Sequence, residues 1–337
     1  MIPRLDAPGH TPAWQTALAR GFSSVEALLE HLGIRPQQTL PAKAAAFPLR
    51  VPRGFVARME PGNIDDPLLR QVLPVADENT IHPDYACDPL AEQQAMPAPG
   101  LLHKYHGRAL LTLTGACAIH CRYCFRRHFP YTEQRLERSL SETTLAQLDS
   151  PEIEEIILSG GDPLTLGDSR LASLLEQLAG LKNLRRLRIH TRMPTVLPER
   201  ITPDLARLLA DFPLPVTMVL HVNHPNEYTR ETDDACRLLR KSGILLLNQA
   251  VLLNKINDKE EIIEALCKRG FEAGILPYYI HQLDQVAGAA HFSTAPETAR
   301  RLEKRLRERL PGYLMPRFVV EISGMNAKMP VETIICD

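Results

Sequence analysis

Residues 108–124 read RALLTLTGACAIHCRYC. The first half is a short apolar, strand-like run. It passes directly into a loop that spaces Cys117, Cys121 and Cys124 as C-x3-C-x2-C. Working outward, further strand-like runs occur at 155–158 (EIIL), 187–191 (LRIHT), 216–222 (VTMVLHV), 244–253 (ILLLNQAVLL) and 275–280 (ILPYYI). Between them lie amphipathic stretches at 169–181, 203–212, 233–243, 259–270 and 295–310. Six strands alternating with helices predict an α/β core with a parallel sheet and right-handed crossovers. The polar motifs fall at the carboxyl ends of these strands, where barrel-type and doubly wound folds place their chemistry. A last run at 317–324, RFVVEISG, predicts one more strand.

Ahead of this core the texture changes. Residues 11–33 carry helix-spaced apolar positions, with Ser24 placed to cap a helix starting at Val25. Proline-rich segments follow, such as FPLRVPRGFVARM at 47–59 and MPAPG at 96–100. The reading is an N-terminal, mostly helical and irregular appendage over 1–98, a core over 99–315 and a C-terminal segment over 316–337. With Lys+Arg 39 against Asp+Glu 40, no basic field exists to attract nucleic acid. The start, MIPRLDAPGHTPAWQ, lacks a signal pattern, and the longest apolar stretches are too short to span a bilayer. A cytoplasmic protein without membrane partners is expected.

Seven cysteines, three of them clustered, do not form a disulfide framework; a metal site in a reducing compartment fits better. A chance match to the triad spacing would occur roughly three times in a thousand such chains. Three thiolates cannot close a structural zinc site without a fourth ligand. They can hold three irons of a [4Fe–4S] cluster and leave the fourth open. Spacing alone also allows zinc completed by His120 or His128, or unligated thiols. Cys87, Cys236, Cys267 and Cys336 are scattered and read as structural or incidental. One strand on, ILSGGDPLTL presents Gly160, Gly161 and Asp162. Glycines there let backbone approach a ligand closely, although GGDP alone is as readily a plain turn.

The triad with Tyr123 before its last cysteine resembles the radical S-adenosylmethionine superfamily. The segments 100–111, 121–131, 158–164, 188–202, 221–227, 248–258 and 275–292 resemble, nearly end to end, the lysine 2,3-aminomutase family within it. That resemblance implies a partial (β/α)6 TIM-type barrel as radical SAM core. It implies three cofactors: a [4Fe–4S] cluster on Cys117, Cys121 and Cys124, S-adenosylmethionine chelated to the open iron, and pyridoxal 5'-phosphate. Gly160, Gly161, Asp162, His221 and Gln249 match positions that contact S-adenosylmethionine; singly, His221 and Gln249 could equally be satisfied polar residues of the sheet edge. Lys328, in GMNAKMPV, matches the lysine that forms a Schiff base with pyridoxal phosphate, where a lone lysine would otherwise be a surface charge. Lys104, Tyr105 and Arg108 match the positions that hold its phosphate; otherwise they cap the strand edge. Arg126 matches the arginine that receives the substrate carboxylate.

Asp284 matches one of two aspartates that hold the distal ammonium of lysine. At the second place this chain has Glu321, which keeps the charge on a longer arm. The chain also stops at Cys336-Asp337, without the family's cysteine-rich zinc-binding tail, so no structural zinc is expected. The resemblance implies a homo-oligomer, and the missing tail removes the sequence basis for the family's tetramer. The short form most resembles the bacterial aminomutase that serves elongation factor P. The activity then implied is conversion of (S)-α-lysine to (R)-β-lysine, driven by an external electron donor. A separate ligase would attach the product to the factor. Catabolic β-lysine formation, an aminomutase for another amino acid, and a non-catalytic iron–sulfur or zinc scaffold are the alternatives. Asp284 with Glu321 argues against an anionic substrate side chain.

Overall fold

A computed structural model describes residues 12–35, 47–132 and 140–333. The readings made for the first eleven residues and for Cys336 lie outside them. Among the described residues nine strands form one sheet in sequence order: β1 (Leu101–Tyr105), β2 (Gly107–Thr112), β3 (Ile153–Ser159), β4 (Arg186–Thr191), β5 (Val216–His221), β6 (Leu245–Val251), β7 (Leu276–His281), β8 (Arg317–Val320) and β9 (Met329–Pro330). Strands β2 to β8 run parallel. The edge strands β1 and β9 pair antiparallel with β2 and β8. Six crossovers carry helices, as a parallel sheet requires. The sequence pattern missed both edge strands. β1 is the short first arm of a hairpin that turns at Gly107, where φ is 77°, and β9 is two residues long.

Among the described residues four short α-helices precede the sheet: α1 (Ala13–Ala19), α2 (Val25–His31), α3 (Arg53–Val56) and α4 (Pro67–Arg70). The expected helix over 11–33 is two helices, and Ser24 caps the second by accepting from the Ala27 amide at 3.2 Å. The crossover helices are α5 (Glu142–Leu148), α6 (Asp168–Ala179), α7 (Met193–Val196) with α8 (Pro203–Ala210), α9 (Arg230–Lys241), α10 (Glu260–Glu272) and α11 (Pro296–Arg309). Each turns its apolar stripe to the sheet: Leu171, Leu175 and Leu178 on α6, Leu205 and Leu209 on α8, Leu302 and Leu306 on α11. Cys236 and Cys267 belong to these stripes and are buried.

Alternation along the strands builds the inside. On β4, Leu187 and Ile189 face the helices while Arg188 and His190 line a cavity; on β6, Leu246 and Ala250 are buried while Gln249 and Val251 line it. The sheet curls far enough that its two ends meet through side chains. Lys104 on β1 reaches Glu321, just past β8, at 2.9 Å. An open, curved sheet of six βα units plus a seventh parallel strand is the partial barrel that the resemblance implied.

The appendage is bolted to the sheet by buried charge. Arg200 is fully buried, donates to the Leu164 and Leu166 carbonyls, pairs with Asp168, and packs over the Trp14 ring of α1. Glu78 bridges Arg122 at 2.8 Å and Arg127 at 2.6 Å, all three out of water. Removing the shared carboxylate would strand two guanidiniums. Glu78→Ala should therefore lose about 3–5 kcal/mol of stability, read by urea unfolding, whereas a change below about 1 kcal/mol would show that the pair is not holding the structure.

Candidate active site

The loop after β2, residues 113–132, has no regular secondary structure. Its backbone groups must therefore find partners elsewhere. The His120 amide donates to the Arg50 carbonyl at 2.9 Å and the Arg122 amide to that of Gln71 at 2.8 Å. The Arg122 guanidinium donates to the Phe47 carbonyl at 2.8 Å. Tyr123 faces a buried polar cluster in which Arg192 donates to its hydroxyl at 2.7 Å, to Glu227 at 2.6 Å and to Cys121 Sγ at 2.8 Å. Asn223 and Gln71 complete that cluster. The three cysteines consequently point into the cavity from a loop fixed on both sides.

The glycine segment is built against the same loop. The Gly161 amide donates to the Thr114 carbonyl at 2.5 Å and the Asp162 amide to that of Ala116 at 2.8 Å. A Cβ on Gly161 would stand 2.3 Å from the Ala116 oxygen, and Gly160 adopts φ 121° with its own Cβ position 2.6 Å from the Thr114 oxygen. The close approach that demands glycine is thus made by the cysteine loop's own backbone. The Asp162 carboxylate is also turned inward, accepting from Thr191 Oγ1 at 2.7 Å and from the Leu164 and Arg192 amides at 3.0 and 2.8 Å. It ties β3 to β4.

Cys117, Cys121, Cys124, Gly160, Gly161, Asp162, His221, Gln249, Lys104, Tyr105, Arg108, Arg126, Asp284, Glu321 and Lys328 all line one cavity of about 460 Å³. His221 ends β5 and Gln249 lies two residues inside the end of β6. Apolar walls come from Leu102, Ala109, Phe125, Ile157 and Leu283. The thiols lie at one end. Burial raises Cys117 and pushes Cys124 up to about 11, so cationic metal must offset the charge of the thiolates. Among the described residues no three His, Cys, Asp or Glu side chains close around one ion. A cubane suits such a set, because each thiolate binds a different iron.

The other end is densely charged. Glu321 shares its two oxygens between Lys104 and Lys328. Although burial opposes it, the two ammoniums hold the Glu321 carboxylate well below its usual range. Burial and the neighbouring Glu321 push Asp284 up to about 7. Burial, with Glu321, also raises the Tyr105 phenol. Arg108 lines this end with no carboxylate partner among the described residues, lying 5.2 Å from the Tyr105 ring. This guanidinium and the Lys104 ammonium, both against the Tyr105 ring, suit an anionic group such as a phosphate.

Arg126 is buried and gripped by Glu92, at 2.7 Å from both Nε and NH2, while NH1 reaches Ser159 Oγ at 3.0 Å. Sequence reading missed Glu92, which sits in an irregular proline-rich stretch. It also missed Arg192, His190, His281 and Tyr279. The last three were accessible from strand alternation; Arg192 gave no signal of its own.

A radical SAM superfamily model matches residues 111–267, the span from β2 to α10 that carries the triad. At 46% identity over 95% of this chain and 94% of its own length, an Escherichia coli (strain K12) L-lysine 2,3-aminomutase is similar throughout. A Haemophilus influenzae L-lysine 2,3-aminomutase is 42% identical over 92% of this chain and 93% of its length. One from Clostridium subterminale is 32% identical over 94% of this chain and 77% of its length. The chain belongs to the lysine 2,3-aminomutase family of radical SAM enzymes. Membership brings a [4Fe–4S] cluster and S-adenosylmethionine, for which the thiol end of the cavity has the donors. No helix among the described residues is long and apolar enough to cross a membrane.

His190, His221 and His281 face the cavity with Nε2 atoms that have no hydrogen-bond partner among the described residues. Burial lowers all three, His221 to about 3. The unfolded chain thus binds more protons below about pH 6.5. Stability is full above that pH and falls as pH drops. Between pH 6.5 and 5, His221 should contribute about 1–2 kcal/mol of the loss. Urea unfolding of the wild type and His221→Gln checks this; equal pH slopes would contradict it.

Proposed function

We propose that this enzyme moves the α-amino group of lysine to the β-carbon, converting (S)-α-lysine to (R)-β-lysine. The observation that carries the reading is one cavity with thiols at one end and, at the other, Lys328 among Glu321, Lys104, Asp284 and Arg108. When bound, the cluster with S-adenosylmethionine supplies hydrogen-atom abstraction, and pyridoxal 5'-phosphate supplies a carrier for the migrating nitrogen. Cys117, Cys121 and Cys124 would hold the cluster. Gly160, Gly161, His221 and Gln249 would bound the adenosyl site, with Asp162 fixing the glycine turn. Lys328 would hold the pyridoxal carbonyl, with Lys104, Tyr105 and Arg108 at its phosphate. Glu321, hydrogen-bonded to Lys328 Nζ, would hold that side chain in place toward the carbonyl. Arg126 would read the substrate carboxylate, and Asp284 with Glu321 the distal ammonium. The apolar wall of Leu102, Ile157 and Leu283 keeps water from the reacting carbons.

This reading divides the chain at about residues 98 and 315, places the enzyme in the cytoplasm, and assigns it an external electron donor. The finer role within this proposal, carried by the sequence resemblance and by Glu321 at the second ammonium position, is to supply β-lysine for a ligase that modifies elongation factor P. A homo-oligomer remains part of the same proposal.

Anaerobic reconstitution with iron, sulfide and pyridoxal phosphate, followed by lysine and S-adenosylmethionine under reducing conditions, tests the activity. β-Lysine should accumulate without stoichiometric loss of S-adenosylmethionine. Lys328→Ala should lower turnover by at least about three orders of magnitude and remove the visible band of bound pyridoxal phosphate. Full activity in that variant would refute the assignment. Asp284 must be ionised to receive an ammonium, and its carboxyl is pushed up to about 7. Thus kcat/KM for lysine should rise as pH passes upward through about 7. Asp284→Asn should lack that rise and lose more than about tenfold in kcat/KM; an unchanged pH profile would contradict the role.

A further inference from the structure

We propose that Glu92 is a positioning residue that sets the guanidinium of Arg126 for a substrate α-carboxylate; this rests on the reading of Arg126 just given. Guanidinium groups offer five donors in a plane, with two edges able to bind a carboxylate in parallel bonds. Glu92 takes the edge made by Nε and NH2, both at 2.7 Å. Ser159 Oγ accepts from NH1 at 3.0 Å, and the Gly160 carbonyl lies at the long distance of 3.5 Å. The second edge, between NH1 and NH2, retains an NH2 hydrogen with no acceptor among the described residues. Its orientation is fixed by the first.

The segment that delivers Glu92 is built for that position. Ala91 adopts φ 49° and ψ 41°, one of two non-glycine residues with positive φ among the described residues, a conformation that an alanine adopts only when its surroundings impose it. Asp88 imposes it, accepting from the Glu92 and Gln93 amides at 2.9 and 3.2 Å. The segment is further held where Lys104 Nζ donates to the Leu90 carbonyl at 3.2 Å and where Ala86 bridges Val286. A carboxylate that had to leave for each substrate would not be anchored from three sides. Arg126 is also buried, so Glu92 supplies the counter-charge that keeps it in place when no substrate is bound.

The test is equilibrium binding of lysine and of lysine α-amide to the reconstituted, unreduced holoenzyme. The wild type should prefer lysine. Glu92→Gln should weaken lysine by tenfold or more and the amide by less than twofold, and Glu92→Asp should recover part of the preference. An equal loss for both ligands, or tighter lysine binding as expected of a competitor for Arg126, overturns the proposal. Because Glu92 neutralises a buried guanidinium, both variants should melt lower than the wild type, so binding is read well below their melting temperatures. The difference between the two ligands separates positioning from a folding defect, and Ser159→Ala, touching the other side of the guanidinium, should erode the same preference. A wild type that does not discriminate would instead overturn the carboxylate role of Arg126 itself.

Discussion

Three thiolates can leave an iron open only if the loop that carries them cannot rearrange to supply a fourth ligand. Here that loop lacks helix or strand, and its rigidity comes from outside it. Glu78 clamps Arg122 and Arg127 on one side, while Arg192 and Glu227 reach Tyr123 and Cys121 on the other. Backbone bonds to residues 50 and 71 close the remaining gaps. Buried ion pairs contribute little net stability when compared with well-packed apolar groups, but breaking one is severe. Their use around this loop therefore favours one geometry over strength. The appendage, which the sequence suggests is merely wrapped on the core, is half of the mould in which the loop sits.

Charge is sorted along the cavity in the same spirit. At the end nearest the cysteine loop charge sits in buried pairs, Arg192 with Glu227 beside Cys121 and Arg126 with Glu92. Ammonium, guanidinium and carboxylate groups gather at the other, where β1 and the β8–β9 turn meet. Glu321 joins those two edges through Lys104 and Lys328, so one side chain both completes the curled sheet and sets the protonation around the lysine. The Asp-to-Glu departure seen in the sequence acquires a physical consequence here. The longer arm lets one carboxylate span two ammoniums, and the charge so placed adds to the burial that pushes Asp284 up to about 7.

Much of the fold was legible because parallel strands and amphipathic helices leave period-two and period-3.6 patterns. Ser24 as a cap followed from those patterns directly. The two antiparallel edge strands left none, being a hairpin arm and a two-residue pairing. Within the site, the triad and Lys328 stood out through spacing and resemblance. Glu92 and Arg192 did not, because their roles depend on contacts 34 and 71 residues away. Gly160 and Gly161 were found for an incomplete reason: the backbone they admit belongs to the cysteine loop.

The central claim is an iron coordination site held vacant by a rigid three-cysteine loop. Electron paramagnetic resonance of the reduced, iron-reconstituted protein, recorded before and after addition of S-adenosylmethionine, addresses it most directly. The expected result is a cubane signal whose g-values change when the small molecule is added. A signal indifferent to S-adenosylmethionine, or zinc in place of iron in the loop, would contradict it.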